Sequence, residues 1–303
     1  MSDTVRLFVL HETEYRYAQP VEMAYHVSCL RPLSDQSQRL RLFEMSVSPL
    51  PAQHNLRVDV FGNSRAYFSL SSPHHELLVV ARSELDVTPR YVGVRLQDTV
   101  HVAHVVEQLS YRARAPFEPA SEFVYPSPYV PLHDELREYA AYSLQPARPV
   151  AEAVVELMNR IHQDFRYAPA STEISTPLIE AFYKRQGVCQ DFAHIMLGCL
   201  RASGLAARYV SGYLLTEPAP GQPRLVGADA SHAWVSVWCP GLSAHGTDGW
   251  LDLDPTNNCI PGANHVRVAN GRDFGDVTPL RGVIRGGGDH TLAVRVTTAP
   301  VVG

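Results

Sequence analysis

From Arg6 to about Arg90 the chain is a succession of short alternating or apolar runs, HETEYRY, VEMAYHVSCL, MSVSPL, LRVDVFGNSRAYFSL and ELLVVARSELDV, punctuated by turn-forming residues. Successive side chains of a strand point to opposite faces, so period-two runs at this spacing call for antiparallel strands with one buried face, in a sandwich or a barrel. The clearest hairpin is Gly62-Asn63, between LRVDVF and AYFSL, because both residue types tolerate positive φ. The pattern stops at APFEPASEFVYPSPYVP, residues 115–131, where every X-Pro step disfavours helix. This stretch reads as an extended connector holding a domain boundary. Residues 1–115 are therefore expected to form a β-rich domain and residues 116–303 a second domain, a division that suits a chain of 303 residues.

Beyond the connector the period changes. Asp134–Leu144 carries acids in its first turn, and Pro149–Phe165 starts with proline and continues with an apolar stripe. A third helix is expected over Val188–Ser203, where Val188, Phe192, Ile195, Cys199 and Leu200 recur at near-helical spacing and Gly204 supplies the stop. ARYVSGYLL, HAWVSVW and WLDLD then read as short strands of an antiparallel sheet packed against those helices, and the tail after Arg272 adds DVTPLRGVI and TLAVRVT as two more. The expected fold class is α+β, with a β-sandwich-like domain followed by helices on an antiparallel sheet.

Composition narrows the function. Apolar residues make up 45% and charged residues 19%, which fits a globular protein. A net charge of -5 without any Lys/Arg run gives no footprint for nucleic acid or a membrane surface. No apolar stretch approaches the roughly twenty residues of a membrane span, and Leu7–Leu10 is too short for a signal-peptide core, so a cytoplasmic location is expected. The cysteines, at 29, 189, 199, 239 and 259, are odd in number and form no CxxC pair. Neither a disulfide framework nor a zinc knuckle follows, and no cofactor or metal is expected; a reduced compartment and at least one free thiol do follow.

Cys189 lies in RQGVCQDFAH, directly after Val188 and at the expected start of a helix. Unsatisfied backbone N–H groups and the positive dipole end favour a thiolate there, and the same N–H groups can stabilise an oxyanion. From local sequence alone, an inert buried thiol is the plain alternative. His232, in SHAWVSVW, shares a strand face with Trp234, Ser236 and Trp238, so aromatic neighbours could shield its imidazole. In GWLDLDPTN a common face takes Trp250, Asp252 and Asp254; one carboxylate would orient the histidine and periodicity does not choose between the two. Gln190 and Asp191 in the first helical turn could cap the helix or line the site, and Gln186 could donate to an oxyanion. Cys199 is expected in the core, and His194 is expected to make a buried hydrogen bond. Cys29, Cys239 and Cys259 have no neighbouring base. A zinc site from Cys189, His194 and His232 would match no known ligand spacing.

GVCQDFAH, ARYVSGYL, SHAWV and WLDLDPTN, in this order, resemble the transglutaminase-like superfamily of cysteine enzymes. HETEYRYAQPV, DVFGN and SSPHHEL resemble the β-rich region that precedes this core in bacterial members. The resemblance implies a papain/transglutaminase-like core with Cys189 as nucleophile, His232 as base and Asp254 as the third member of the triad. It implies a peptide or protein substrate bearing an amide or glutamine side chain, attacked to give a thioester acyl-enzyme. Hydrolysis as a cysteine protease or amidase is the expected outcome, since no calcium-binding loop is recognisable. Transfer of the glutaminyl acyl group to an amine is the alternative, and a non-catalytic scaffold the second alternative.

Overall fold

The computed structural model describes residues 4–301, apart from residue 170, residues 217–230 and residues 243–246. The period-two segments form β1 (Val5–Ser28), β2 (Gln38–Ser48), β3 (Gln53–Val58), β4 (Ser64–Leu70) and β5 (His74–Val87). β1 is the spine of the first sheet. Its first half pairs with β5 and its second half with β4, in register Leu7↔Leu85 and Ala24↔Leu70. The ladder shifts between Arg16 and Val21, a stretch that includes Pro20, which has no N–H to give. There the sheet folds back on itself: Val21, Ala24, Phe68 and Leu70 from one half share a core with Leu77, Val79 and Ala81 from the other. At the β3–β4 hairpin only Gly62 takes a positive φ, of 83°. Asn63 serves a different purpose. Fully buried, it donates to the Asn270 carbonyl at 2.7 Å and accepts from the Asn270 N–H at 2.8 Å, stitching the hairpin to a strand of the second sheet.

The rest of the chain runs α1 (Val102–Leu109), α2 (Asp134–Ala141), α3 (Val150–Asp164), β6 (Arg166–Tyr167), α4 (Leu178–Lys184), β7 (Gln186–Gly187), α5 (Cys189–Ala202), β8 (Ala207–Leu214), β9 (Ser231–Trp238), β10 (Trp250–Leu253), β11 (His265–Gly271), α6 (Phe274–Val277), β12 (Leu280–Gly286) and β13 (His290–Pro300). The three expected helices form where the apolar stripes lie. α1 and α4 run only eight and seven residues, and their helical state depends on tertiary packing. The proline-rich connector holds one 3₁₀ stretch, Pro119–Phe123, and is tied down by the buried Arg201, which donates to the Phe123 carbonyl at 3.1 Å and to the Ser127 hydroxyl at 3.2 Å. The second sheet is antiparallel in the order β10-β9-β8-β11, and α5 packs on β8 and β9. α5 is buried on nearly every face, and α2 crosses it so closely that a Cβ at Gly198 would lie 2.6 Å from Leu136.

The last two strands do not extend this second sheet. β13 pairs with residues 7–17 of β1 and β12 with residues 21–28, which completes a first sheet of seven strands. That sheet therefore unites both ends of the chain, and a single cut near residue 115 does not separate the two layers. Among the described residues no helix is long and apolar enough to cross a membrane.

Candidate active site

Cys189 is the first residue of α5, partly exposed, where the helix opens on a cavity of about 850 Å³. The turn that presents it is fixed by Asp191. Its buried carboxylate reaches back to accept from the Val188 N–H at 2.8 Å and from the Thr172 hydroxyl at 2.6 Å. Only glycine fits beneath that carboxylate, since a Cβ at Gly187 would lie 2.5 Å from it. Asp191 thus caps the helix, while Gln190 lines the cavity. Gln186 does neither: it is absent from the cavity lining, and its side-chain oxygen accepts from Arg166 at 3.0 Å. An oxyanion donor at Gln186 would have to be its amide nitrogen, which that bond leaves uncommitted.

His232 stands on β9 opposite Gly212 of β8 and lines the same cavity as Cys189. Its Nε2 lies 2.7 Å from Oδ2 of Asp254, which leaves Nδ1 as the ring nitrogen for the thiol. Burial pushes this histidine's pKa down, but hydrogen bonds to Asp254 and Cys189 outweigh it and raise the value to about 10. Asp254 and Cys189 thus favour the charged form of the ring.

Asp254 is fully buried, which by itself would disfavour its charge; donors hold it well below the usual carboxylate range. Oδ1 accepts the backbone N–H groups of Thr256 and Asn257 at 3.0 and 3.1 Å. Oδ2 accepts from His232, from the Asn257 amide at 2.7 Å and from Nε2 of His265 at 3.1 Å. Of the two aspartates that alternation put on one face, only Asp254 meets His232. β10 ends at Leu253, and Asp254 bridges to Cys259 across the turn at Pro255. Asp252 lies 3.6 Å from Arg90, in a buried group that includes Arg208 and Arg267.

Trp234 is fully buried, with its ring centroid 6.0 Å from that of His232 and 5.3 Å, edge-on, from that of His265. It packs on Gly212, where a Cβ would come within 2.5 Å of the indole, and it does not line the large cavity. Trp238 and Trp250 are buried in the core. His194 accepts from the Phe274 N–H at 3.2 Å, and burial lowers its pKa to about 4. Cys199 is buried in the core with its thiol pushed up to about 12. Cys29 and Cys239 are buried, and Cys259 is partly so.

Sequence reasoning missed His265 and Asn257. Asn257 belongs to the turn that follows Asp254, and its proximity was readable from DPTN alone. His265 was not, because β11 is two strands removed from β9 and no local pattern reports that approach. Among the described residues, His232, Asp254 and His265 are the grouping compact enough to hold a metal ion, their ligand atoms lying within 4.8 Å of one another. Both ring Nε2 atoms already face one carboxylate oxygen, so hydrogen bonding accounts for the grouping. Also invisible in the sequence was the approach of β1 and β13, which wall one side of the cavity.

Helices over an antiparallel sheet, with a cysteine at a helix start beside a histidine and an aspartate on strands, define a papain-like class of architecture. Residues 137–255 match the transglutaminase-like superfamily, and residues 7–86 match the bacterial transglutaminase-like N-terminal region. A protein of Mycobacterium tuberculosis described as uncharacterized is 40% identical, covering 100% of this chain and 95% of its own. A protein-glutamine gamma-glutamyltransferase of Pseudomonas aeruginosa is 38% identical over 133 residues, 43% of this chain and 18% of that one. In structure, a Cytophaga hutchinsonii protein described as a candidate cysteine protease aligns with a TM-score of 0.74 at 18% identity, covering 100% of this chain and 92% of that one. The chain belongs to the transglutaminase-like superfamily.

Proposed function

We propose that the protein is a cysteine-dependent amidase or peptidase working through a thioester acyl-enzyme. The observation that carries the reading is the 2.7 Å contact from His232 to a buried, multiply hydrogen-bonded Asp254, with Cys189 at a helix start against the same imidazole. Cys189 Sγ attacks the carbonyl carbon of a carboxamide. The Asp191 and Phe192 N–H groups already donate to the Val188 carbonyl, which leaves those of Cys189 and Gln190 at the start of α5 to meet the developing oxyanion. As the tetrahedral species collapses, His232 passes its proton to the departing amine, and the acyl group stays on sulfur. His232 then takes a proton from water, hydroxide attacks the thioester, and the thiolate is released.

A second reading differs only in the last step, with a primary amine in place of water. The similarity to the Pseudomonas aeruginosa protein-glutamine gamma-glutamyltransferase, 38% identical over 133 residues, favours it. Ammonia release from glutamine peptides, with and without a primary amine, compared between the unsubstituted protein and Cys189→Ala, tests both. Release or cleavage that depends on Cys189 without amine incorporation is the expected result. Incorporation moves the assignment to the transferase, and turnover that survives Cys189→Ala refutes both.

A further inference from the structure

One wall of the cavity that holds Cys189 comes from the first sheet. β1 contributes His11, Thr13 and Tyr15, and β13 contributes Leu292 and Val294. Register explains their company. Thr13 pairs with Val294 and Tyr15 with Leu292, so alternation sends these side chains to one face. Exposure rises along that face: His11 and Thr13 are buried, whereas Val294 and Leu292 are 48% and 52% exposed. Large aliphatic side chains left half in water inside a concavity mark a binding surface rather than a core.

This wall is held firmly and carries no charge. His11 Nδ1 lies 3.0 Å from the Tyr213 hydroxyl of β8, and its Nε2 lies 3.1 Å from the Thr13 hydroxyl, which ties the first sheet to the second. Burial lowers His11 to about 4, so its ring is neutral at neutral pH. The charged residues elsewhere around the cavity are engaged by their own neighbours. Asp273 accepts the N–H groups of Tyr129 and Gly275 at 2.9 and 2.8 Å, Asp276 pairs with Arg272 at 2.8 Å, and Arg281 donates to the Gly275 carbonyl at 3.0 Å. Aliphatic and aromatic surface is what the wall offers a ligand.

We propose that this wall is a specificity surface: the acyl donor is a peptide with aliphatic or aromatic side chains beside the reactive amide, seated on Tyr15, Leu292 and Val294 while the amide reaches Cys189. The proposal deepens the amidase reading and rests on it for the role of Cys189. Binding is measured by fluorescence anisotropy in the Cys189→Ala protein. The probes are two dye-labelled pentapeptides with a central glutamine, one flanked by leucine and phenylalanine, the other by aspartate and serine. The apolar peptide is expected to bind and the polar one not. Adding Leu292→Thr and Val294→Thr, exposed positions where a β-branched residue keeps the strand, is expected to weaken apolar binding about tenfold or more while the unfolding midpoint stays in place. Equal binding of the two peptides, unchanged affinity in the substituted wall, or no binding of the apolar peptide overturns the proposal. Turnover is read separately with the unsubstituted protein: apolar binding without Cys189-dependent release keeps the wall and refutes the amidase.

Discussion

Replacing Asp254 with asparagine changes one atom's chemistry at almost constant shape, and the hydrogen bonds dictate the outcome. Two backbone N–H groups, of Thr256 and Asn257, converge on Oδ1, so the new amide must place its oxygen there. Its NH2 then occupies the Oδ2 position, 2.7 Å from Nε2 of His232. A donor there forces Nε2 to accept and moves the ring proton to Nδ1, the nitrogen that serves the thiol. His232 can no longer take a proton from Cys189. The same substitution removes the carboxylate that supports its raised value of about 10, and an imidazole returning to the ordinary ~6.5 is only about 3% protonated at pH 8. On that ordinary value the imidazolium population at pH 8 falls by about thirtyfold. Iodoacetamide labelling of Cys189 at pH 8, followed by intact mass, is expected to slow and to change its pH dependence, and turnover to fall by about three to four orders of magnitude, as wrong-tautomer substitutions do. Labelling of Asp254→Asn at the unsubstituted rate, with the same pH dependence, would show that the carboxylate does not govern the histidine.

Three further outcomes follow from the same geometry. His265→Phe removes one donor from Asp254 and leaves the carboxylate more basic toward His232; the alkaline limb of the pH–rate profile is expected to move to higher pH with a loss in kcat of about tenfold, and an unmoved limb would reduce His265 to packing. Gly212→Ala has no room, with Val266 O at 2.1 Å and the Trp234 ring at 2.5 Å from the added carbon, so denaturant unfolding should show a loss of about 2–4 kcal/mol. His11 and His194 are each held near 4 by burial, below the ordinary ~6.5, so the unfolded chain binds protons that the folded one refuses; stability present above about pH 6.5 is lost as pH falls toward 4, by up to about 3 kcal/mol each, and a thermal midpoint flat over that window would contradict their burial as neutral rings.

What the sequence determined by itself was everything carried by local periodicity and local chemistry. Alternation placed the strands, and a 3.6-residue stripe placed α3 and α5. The position of Cys189 at the start of α5 was legible because a helix start has a local signature, and His232 and Asp254 were legible because their motifs stand in a recognisable order. Tertiary structure decided what depends on which surfaces meet. Alternation could not separate Asp252 from Asp254, since the choice was made by the end of β10 and the turn at Pro255. His265 reached Asp254 only because β11 closes the far side of the second sheet. Likewise β12 and β13 looked like strands in the sequence, but their partner, β1, lies more than 250 residues upstream. Strand pairing is set by the faces left unburied when everything else has packed, and that pairing carries Leu292 and Val294 into the cavity of Cys189.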